Sequence, residues 1–283
     1  MGGGRVTKIH PLSKITAHTL LILAALVVLL PIYWMGISAV EPNADILSTV
    51  VHWLPTHFEP GNFQKALRSQ PFGRYFLNSF VMSAGIVVCQ LITSSLAAYA
   101  LVFIPMQRKR SWLFLILMAM MIPMQATFIP VYLILSKVHL INTYFGLVLP
   151  FAGSAFGIFL LRQGFVSIPR DLVHAARIDG ASEWRILTSI VLPNSKPMLL
   201  TLVLLNFVFH YNDLFWPLIS TNTTNMRVIP VALSYFLSQE AGQTLQWNLM
   251  MAADLVSILP VLLLFLIGQR YLVKGIMGSA IKG

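Results

Sequence analysis

The chain has 283 residues, 57% of them hydrophobic and only 10% charged, with a formal net charge of +10 and a mean hydropathy of +0.77. A soluble domain is about a quarter charged, so this composition excludes an ordinary water-exposed surface and points to a polytopic membrane protein. The basic residues are scattered between apolar segments, which argues against nucleic acid as a partner, and the single cysteine, Cys89, excludes an intrachain disulfide and a cysteine-based metal site.

Six segments in chain order are long and apolar enough to cross a bilayer, which takes about 20 residues. They are 20–40, 76–106, 112–136, 140–161, 198–220 and 249–267. The first follows Arg5, Lys8 and Lys14 as a signal peptide would. Its length, and the lack of a small-residue cleavage site after it, read it as an uncleaved anchor. The second is free of charge over its whole length and is expected to tilt or to begin as an interfacial helix.

Lys and Arg fall unevenly on the connections. Fourteen of the nineteen lie in the N-terminus, the second and fourth connections and the C-terminus. The excess of Lys and Arg on cytoplasmic loops places that side in the cytoplasm, with both termini inside. The expected partition is a cytoplasmic N-terminus (1–14), a six-helix transmembrane domain (15–272) containing a cytoplasmic loop at 168–196, and a cytoplasmic C-terminus (273–283). Two long connections on the other side, 41–75 and 221–248, offer a surface to an external partner. Pro31, Pro123, Pro130, Pro150, Pro217 and Pro260 fall within or beside the spans. Proline is common in membrane helices, so these positions mean either ordinary kinks or broken helices around a cavity.

Enzymatic motifs are absent. There is no G-x-x-x-x-G-K-[ST] phosphate loop, no H-E-x-x-H metal pattern and no G-x-S-x-G nucleophile elbow, and the seven histidines are dispersed. A transporter with this sequence is a passive channel, an ion-coupled carrier, or one subunit of a machine powered elsewhere.

The fourth connection is unusually polar. Pro169 and Asp171 start a short helix, with the acid near its positive end. Leu172, Ala175, Ala176 and Ile178 form its apolar face, and Gly180 stops it through a left-handed turn. Ser182 caps a second helix through Trp184, Ile186, Leu187 and Ile190, which Pro193 and Pro197 end. Such a pair either lies on lipid or forms a rigid knob for a cytoplasmic partner.

The stretch HAARIDGASEWRILTSIVLP resembles the EAA loop of binding-protein-dependent ABC importer permeases, whose pattern is E-A-A-x-x-x-G followed by I-x-L-P. Ala175, Ala176, Asp179, Gly180, Ile190, Leu192 and Pro193 match, and His174 stands where the family has Glu. PIYWMGISAV, WLPTHFEPGNFQKAL, LNSFVMS, YNDLFWPLI and QRYLVKGIMGSAIKG extend the resemblance over nearly the whole chain, in order, to the maltose-type and glycerol-3-phosphate-type second permease subunits of the carbohydrate group. The resemblance implies an all-α membrane protein of six transmembrane helices, with a cytoplasmic coupling helix between helices 4 and 5. It implies that His174, Ala175, Ala176, Asp179 and Gly180 meet an ATPase. It also implies a second homologous permease subunit, two ATP-binding subunits and an external solute-binding protein in a bacterial inner membrane. No cofactor belongs to this chain; ATP and Mg are used by the partner subunits, so the chain itself is not an enzyme. The solute implied is a carbohydrate or one like glycerol-3-phosphate. An ion-coupled secondary carrier and a non-transporting structural subunit are the alternatives.

Asp213 and Asp254 are the only acids inside the spans. A charge facing lipid costs at least a few kcal/mol, so both are expected to face a cavity or another subunit. With Tyr211, Asn212 and Trp216 they form either a solute-receiving rim or a structural set in which each acid caps a helix break or pairs across an interface.

Overall fold

The computed structural model describes residues 11–238 and 245–280, with side chains over 15–236 and 245–270. Every regular element among them is helical. In chain order they are α1 (Pro11–Val40), α2 (Asn43–Ile46), α3 (Gly61–Ser69), α4 (Phe72–Phe103), α5 (Lys109–Ala119), α6 (Met124–Lys137) and α7 (Tyr144–Val148), which runs into a 3-10 turn at Leu149–Phe151. Next come α8 (Ala155–Val166), α9 (Arg170–Ile178), α10 (Glu183–Ile186), a π turn at Leu187–Val191, α11 (Leu192–Asn194) and α12 (Lys196–Tyr211). The remainder are α13 (Phe215–Ser220), a 3-10 turn at Thr224–Met226, α14 (Ile229–Ser238) and α15 (Trp247–Ala280).

Three helices, α1, α4 and α15, are long and apolar enough to span a membrane unbroken. Three more spans are possible only as bent pairs: α5 with α6 at 91°, α7 and its 3-10 turn with α8 at 51°, and α10–α11 with α12 at 79°. The segment expected at 76–106 is a single 32-residue helix, Phe72–Phe103, about 48 Å long at 1.5 Å per residue. The fourth segment begins later and ends later than its hydropathy suggested, because 140–143 is a turn in which Thr143 Oγ1 accepts from Gly146 N at 3.1 Å.

Few of the prolines break a helix. Pro31, Pro130 and Pro260 sit inside α1, α6 and α15, and Pro217 lies in the first turns of α13. Pro123 marks the right-angle break ahead of α6, since proline forces its predecessor out of the helical region. The 51° break follows Pro150 and is finished by a polar cap: Ser154 Oγ accepts from Gly157 N at 3.0 Å and starts α8.

The described residues fall into two compact units. The first takes residues up to 70 together with 236–256. There Asn62 Nδ2 donates to Glu41 O at 3.0 Å, and Glu59 N donates to Val40 O at 2.6 Å, so the 41–70 connection folds back on the end of α1. Asn43 ties the same segment to the start of α15, accepting from Trp247 N and donating to Leu245 O, both at 2.8 Å. Asp45 lies in this connection, and the hydrogen bond from His57, then that from Thr56, holds its carboxyl below its ordinary value.

The second unit takes 71–235 and the residues from 257 onward. α4 is its axis, packed on α8 and α12 through small or polar positions such as Ser83, Ser94 and Ala98, all buried. One apolar cluster joins α4 to the 173–191 segment through Phe103, Phe165, Val173 and Ile186. A second joins it to the α6–α7 and α13–α14 segments through Met82, Leu147, Trp216 and Val231. Asn78 on α4 donates to the carbonyls of Asn225 and Arg227 at 2.8 and 2.7 Å, and accepts from Tyr144 Oη at 2.6 Å. Its neighbour Ser79 accepts from Ile229 N. These bonds pin the 221–229 connection to α4.

Gly146 is required by contact. A Cβ there would lie 2.1 Å from Leu140 O, and Gly146 O itself accepts from Trp216 Nε1 at 3.1 Å. Gly146→Ala is therefore expected to destabilise the unit by about 1–3 kcal/mol, the usual cost of overpacking. A lower thermal midpoint in detergent than that of Gly153→Ala, where a Cβ meets nothing within 4 Å, is the check.

Candidate functional site

Two places in the second unit carry functional geometry, and α4 connects them. The first is the elbow between α9 and α10. Gly180 sits at φ +77, and the backbone closes in a Schellman pattern: Ala181 N donates to Ala176 O at 2.9 Å and Gly180 N to Arg177 O at 3.1 Å. Ser182 then caps α10 by accepting from Arg185 N at 3.3 Å. The helix stop and start expected from the sequence are both present.

The apolar face of α9 differs from expectation. Val173 and Ala176, three residues apart, are the buried pair. Leu172, Ala175 and Ile178 point outward, Ile178 at 86% exposure, and Trp184 on α10 is 64% exposed. A narrow helix face suffices for a chain this thin at the elbow, and the rest of its apolar surface stays uncovered. Of the residues matched by resemblance, Ala176 belongs to the core. His174, Ala175, Asp179 and Gly180 lie on the exposed side, and the side chains of His174 and Asp179 make no hydrogen bond among the described residues.

Sequence reading missed what holds the elbow. Arg177 and Glu183 form a two-pronged ion pair across Gly180, Nε to Oε1 at 2.8 Å and Nη2 to Oε2 at 3.0 Å. Arg177 Nη2 also donates to Phe103 O at 3.0 Å, and Tyr99 Oη donates to Glu183 Oε2. The hydrogen bond to Glu183 raises the Arg177 guanidinium above its ordinary value, so it stays charged. The only hint in the sequence was an Arg and a Glu flanking a glycine.

The second place is a cavity of about 590 Å³ between the two helix breaks. The α5–α6 break contributes Met120, Ile122 and Phe128; the 3-10 turn and α8 contribute Phe151, Ser154 and Phe156. Gln90 enters from α4, Asn206, Phe209 and His210 from α12, and Trp216 from α13. Gln90 and His210 are almost fully buried, at 4% and 2% exposure. Gln90 Nε2 donates to Phe151 O at 2.9 Å and lies 3.4 Å from His210 Nε2. Gln90 Oε1, Asn206 Nδ2 and His210 Nδ1 have no partner among the described residues. Buried polar atoms are nearly always satisfied, so three orphans among the residues of one cavity mark it as built for something polar. No Lys, Arg, Asp or Glu lines it.

Of the two arrangements open for the polar set around Asp213, the helix-capping one describes Asp213 itself. Only Trp216 lines the cavity, its ring 5.9 Å from that of Phe151. Tyr211 Oη donates to Ser257 O at 3.2 Å, and Asn212 Nδ2 donates back to Val208 O at 2.8 Å. Asp213 Oδ1 accepts from Phe215 N at 3.0 Å and Trp216 N at 3.4 Å, which starts α13. Asp254, half-buried, lies in the other compact unit. Gln90, Asn206 and His210 are single polar residues in largely apolar sequence, with no motif to mark them.

Residues 90–278 match the family described as binding-protein-dependent transport system inner membrane component. The sn-glycerol-3-phosphate transport system permease protein UgpE of Pectobacterium atrosepticum is 33% identical over 94% of this chain and 96% of its own length. Its namesake in Agrobacterium fabrum is 31% identical over 95% and 97%. A chain of a bacterial ABC transporter involved in importing the acidic polysaccharide alginate superposes with a TM-score of 0.81, at 25% identity, over 95% of this chain and 100% of that one. A chain from the alginate transporter in complex with its pentasaccharide-bound periplasmic protein shares the fold, with a TM-score of 0.60 at 15% identity.

The Asp213 cap generates its own test. Asp213→Ala removes an N-terminal acceptor and is expected to cost about 0.5–2 kcal/mol, while Asp213→Asn keeps an acceptor and most of the stability. Thermal unfolding of the two purified variants separates them; equal midpoints would remove the cap from the account.

Proposed function

The chain belongs to the binding-protein-dependent transport system inner membrane component family, and from that premise we propose how it works as the permease subunit of an ABC importer. It is a multi-pass inner-membrane protein that transports rather than catalyses. In our reading it pairs with a second, homologous permease, and the two enclose the pathway. Two ATPase subunits bind on the elbow side, which is the cytoplasmic side, together with both termini. An external solute-binding protein delivers cargo to the opposite face; the alginate transporter forms a complex with an alginate pentasaccharide-bound periplasmic protein.

One observation carries the coupling: α4 touches both the elbow and the cavity. Tyr99 holds Glu183 at one point of this helix, and Gln90 faces the cavity nine residues earlier, about 13.5 Å away along the axis at 1.5 Å per residue. Leu172, Ile178 and Trp184 give an ATPase groove an apolar grip. The Arg177–Glu183 pair makes α9 and α10 move as one, and Tyr99 with the Phe103 carbonyl passes that motion to α4. Displacing α4 moves Gln90 against the wall formed by Phe151 and His210.

The cavity also narrows the cargo. Its aromatic rings suit the apolar face of a sugar ring or polyol chain, and its orphan amide and imidazole atoms suit hydroxyls. It offers no Lys or Arg to an anion, so any phosphate or carboxylate on the cargo is held by another subunit. This chain reads the hydroxylated part of a carbohydrate-like solute.

Two outcomes test the two halves. Gly180→Val forces a β-branched residue into φ +77, at a cost of about 1–2 kcal/mol or more. The variant should insert normally, yet lose most of the ATP hydrolysis that cargo-loaded binding protein stimulates in proteoliposomes; full stimulation would remove the elbow from coupling. Asn206→Leu replaces a half-buried amide, whose Nδ2 has no partner among the described residues, by an apolar group of similar size, a change close to neutral for folding. An unchanged melting point and basal ATPase rate, with uptake reduced by about tenfold for one lost hydrogen bond, is the expected result. Undiminished uptake would take Asn206 out of the pathway.

A further inference from the structure

A second cavity, of about 290 Å³, lies where α4 and α8 end and α5 and α9 begin. Lys109, Arg110, Arg162 and Arg170 all line it, with Val102 and Val166 between them. No Asp or Glu lines it, and none of the four cations is in an ion pair among the described residues. Lys109 Nζ donates only to Val102 O, at 3.4 Å. The positive ends of two helices of eleven and nine residues add to the same field, since α5 starts at Lys109 and α9 at Arg170. Four like charges around one concavity repel each other unless an anion joins them.

The size and setting indicate which anion. A volume of 290 Å³ is about ten times a water's share of the liquid, roughly 30 Å³, so it holds a substituted phosphate rather than a simple ion. The pocket lies at the ends of α4 and α8, both read as membrane spans, and so at the depth expected for lipid headgroups. On α5 just beyond it, Trp112, Leu115 and Met118, spaced three residues apart along the helix, are 55%, 54% and 48% exposed, an apolar track for acyl chains. Basic pockets between transmembrane helices bind anionic lipid headgroups by this chemistry.

We propose that Lys109, Arg110, Arg162 and Arg170 form a binding site for the phosphate of an anionic phospholipid, which fastens the start of α9 to the membrane boundary. The site does not depend on the cargo cavity or on what the transporter carries.

The test uses the purified full transporter, washed in detergent and exchanged into nanodiscs of phosphatidylcholine with or without phosphatidylglycerol and cardiolipin. Native mass spectrometry of the complex released from them should show a retained anionic phospholipid in the wild type. Arg110→Gln/Arg162→Gln should lower its retention by about fivefold per cation removed. Arg162→Lys should largely keep it, and Arg185→Gln, an exposed arginine outside the pocket, should leave it unchanged. Competition identifies the source of the phosphate. Retention that resists millimolar inorganic phosphate supports the lipid; a pocket-dependent phosphate adduct that displaces the lipid assigns the same site to a soluble phosphate. Equal lipid and phosphate binding in wild type and double variant would overturn the site. Loss of the ATPase subunits from a double variant that still holds its lipid would also overturn it, by making the cluster a protein contact.

Discussion

The ion pair of Arg177 with Glu183 is the contact on which the functional geometry depends. Its two prongs link residues on either side of Gly180, and the same side chains reach Tyr99 and the Phe103 carbonyl at the end of α4. An exposed pair of this kind adds little to stability on its own. Here its value is positional, because a bidentate fork fixes orientation as well as distance. Without it, α9 and α10 would be two short helices joined by a glycine, each too short to hold its shape alone. With it, they form one body seated on the end of a 32-residue helix.

That long helix suits the role because of what it buries. Gln90, Ser83 and Ser94 lie along α4 with small apolar residues such as Ala98. Small positions let α8 and α12 approach closely, and side-chain hydrogen bonds set their register. Gln90 bonded to Phe151 O and Thr93 bonded to Ala152 O fasten α4 to the very link where the α7–α8 pair bends. The break is therefore held open by α4. The right angle ahead of Pro123 forms the opposite wall, and the cavity is the space between two interruptions of helix that neither side can fill.

Much of this was legible in the sequence where the signal is local. The spans follow from runs of apolar residues, Gly180 from its need for a left-handed turn, and the Ser182 cap from its place before a periodic segment. The exposed side of α9 was not legible, because periodicity identifies an apolar face without saying whether this chain or another covers it; Leu172, Ala175 and Ile178 read the same either way. Helix breaks were legible only in part. Pro123 breaks its span while Pro31 and Pro260 ride inside theirs, since a membrane helix re-satisfies the bonds that proline removes. Asp213 drew the eye as a charge in an apolar run, and its geometry is that of a cap on the chain's own α13. The neutral Gln90, Asn206 and His210 gave no such signal individually. Their meaning comes from lining one cavity, where Gln90 meets partners 61 and 120 residues away in sequence, which no local pattern encodes.

The placement of charge then follows from one constraint. A cation in the membrane interior is costly unless paired, and in the proposed pathway a fixed strong partner would hold the cargo back. The larger cavity is accordingly lined with polar side chains such as Gln90, Asn206 and His210 and with aromatic rings, and no Lys, Arg, Asp or Glu lines it. The cations Lys109, Arg110, Arg162 and Arg170 stand instead where the helices end. There solvation is cheap and a firmly held anion does no harm to turnover, because nothing has to leave. In this unit the neutral cavity and the basic pocket are separate, and the same α4 and α8 line both.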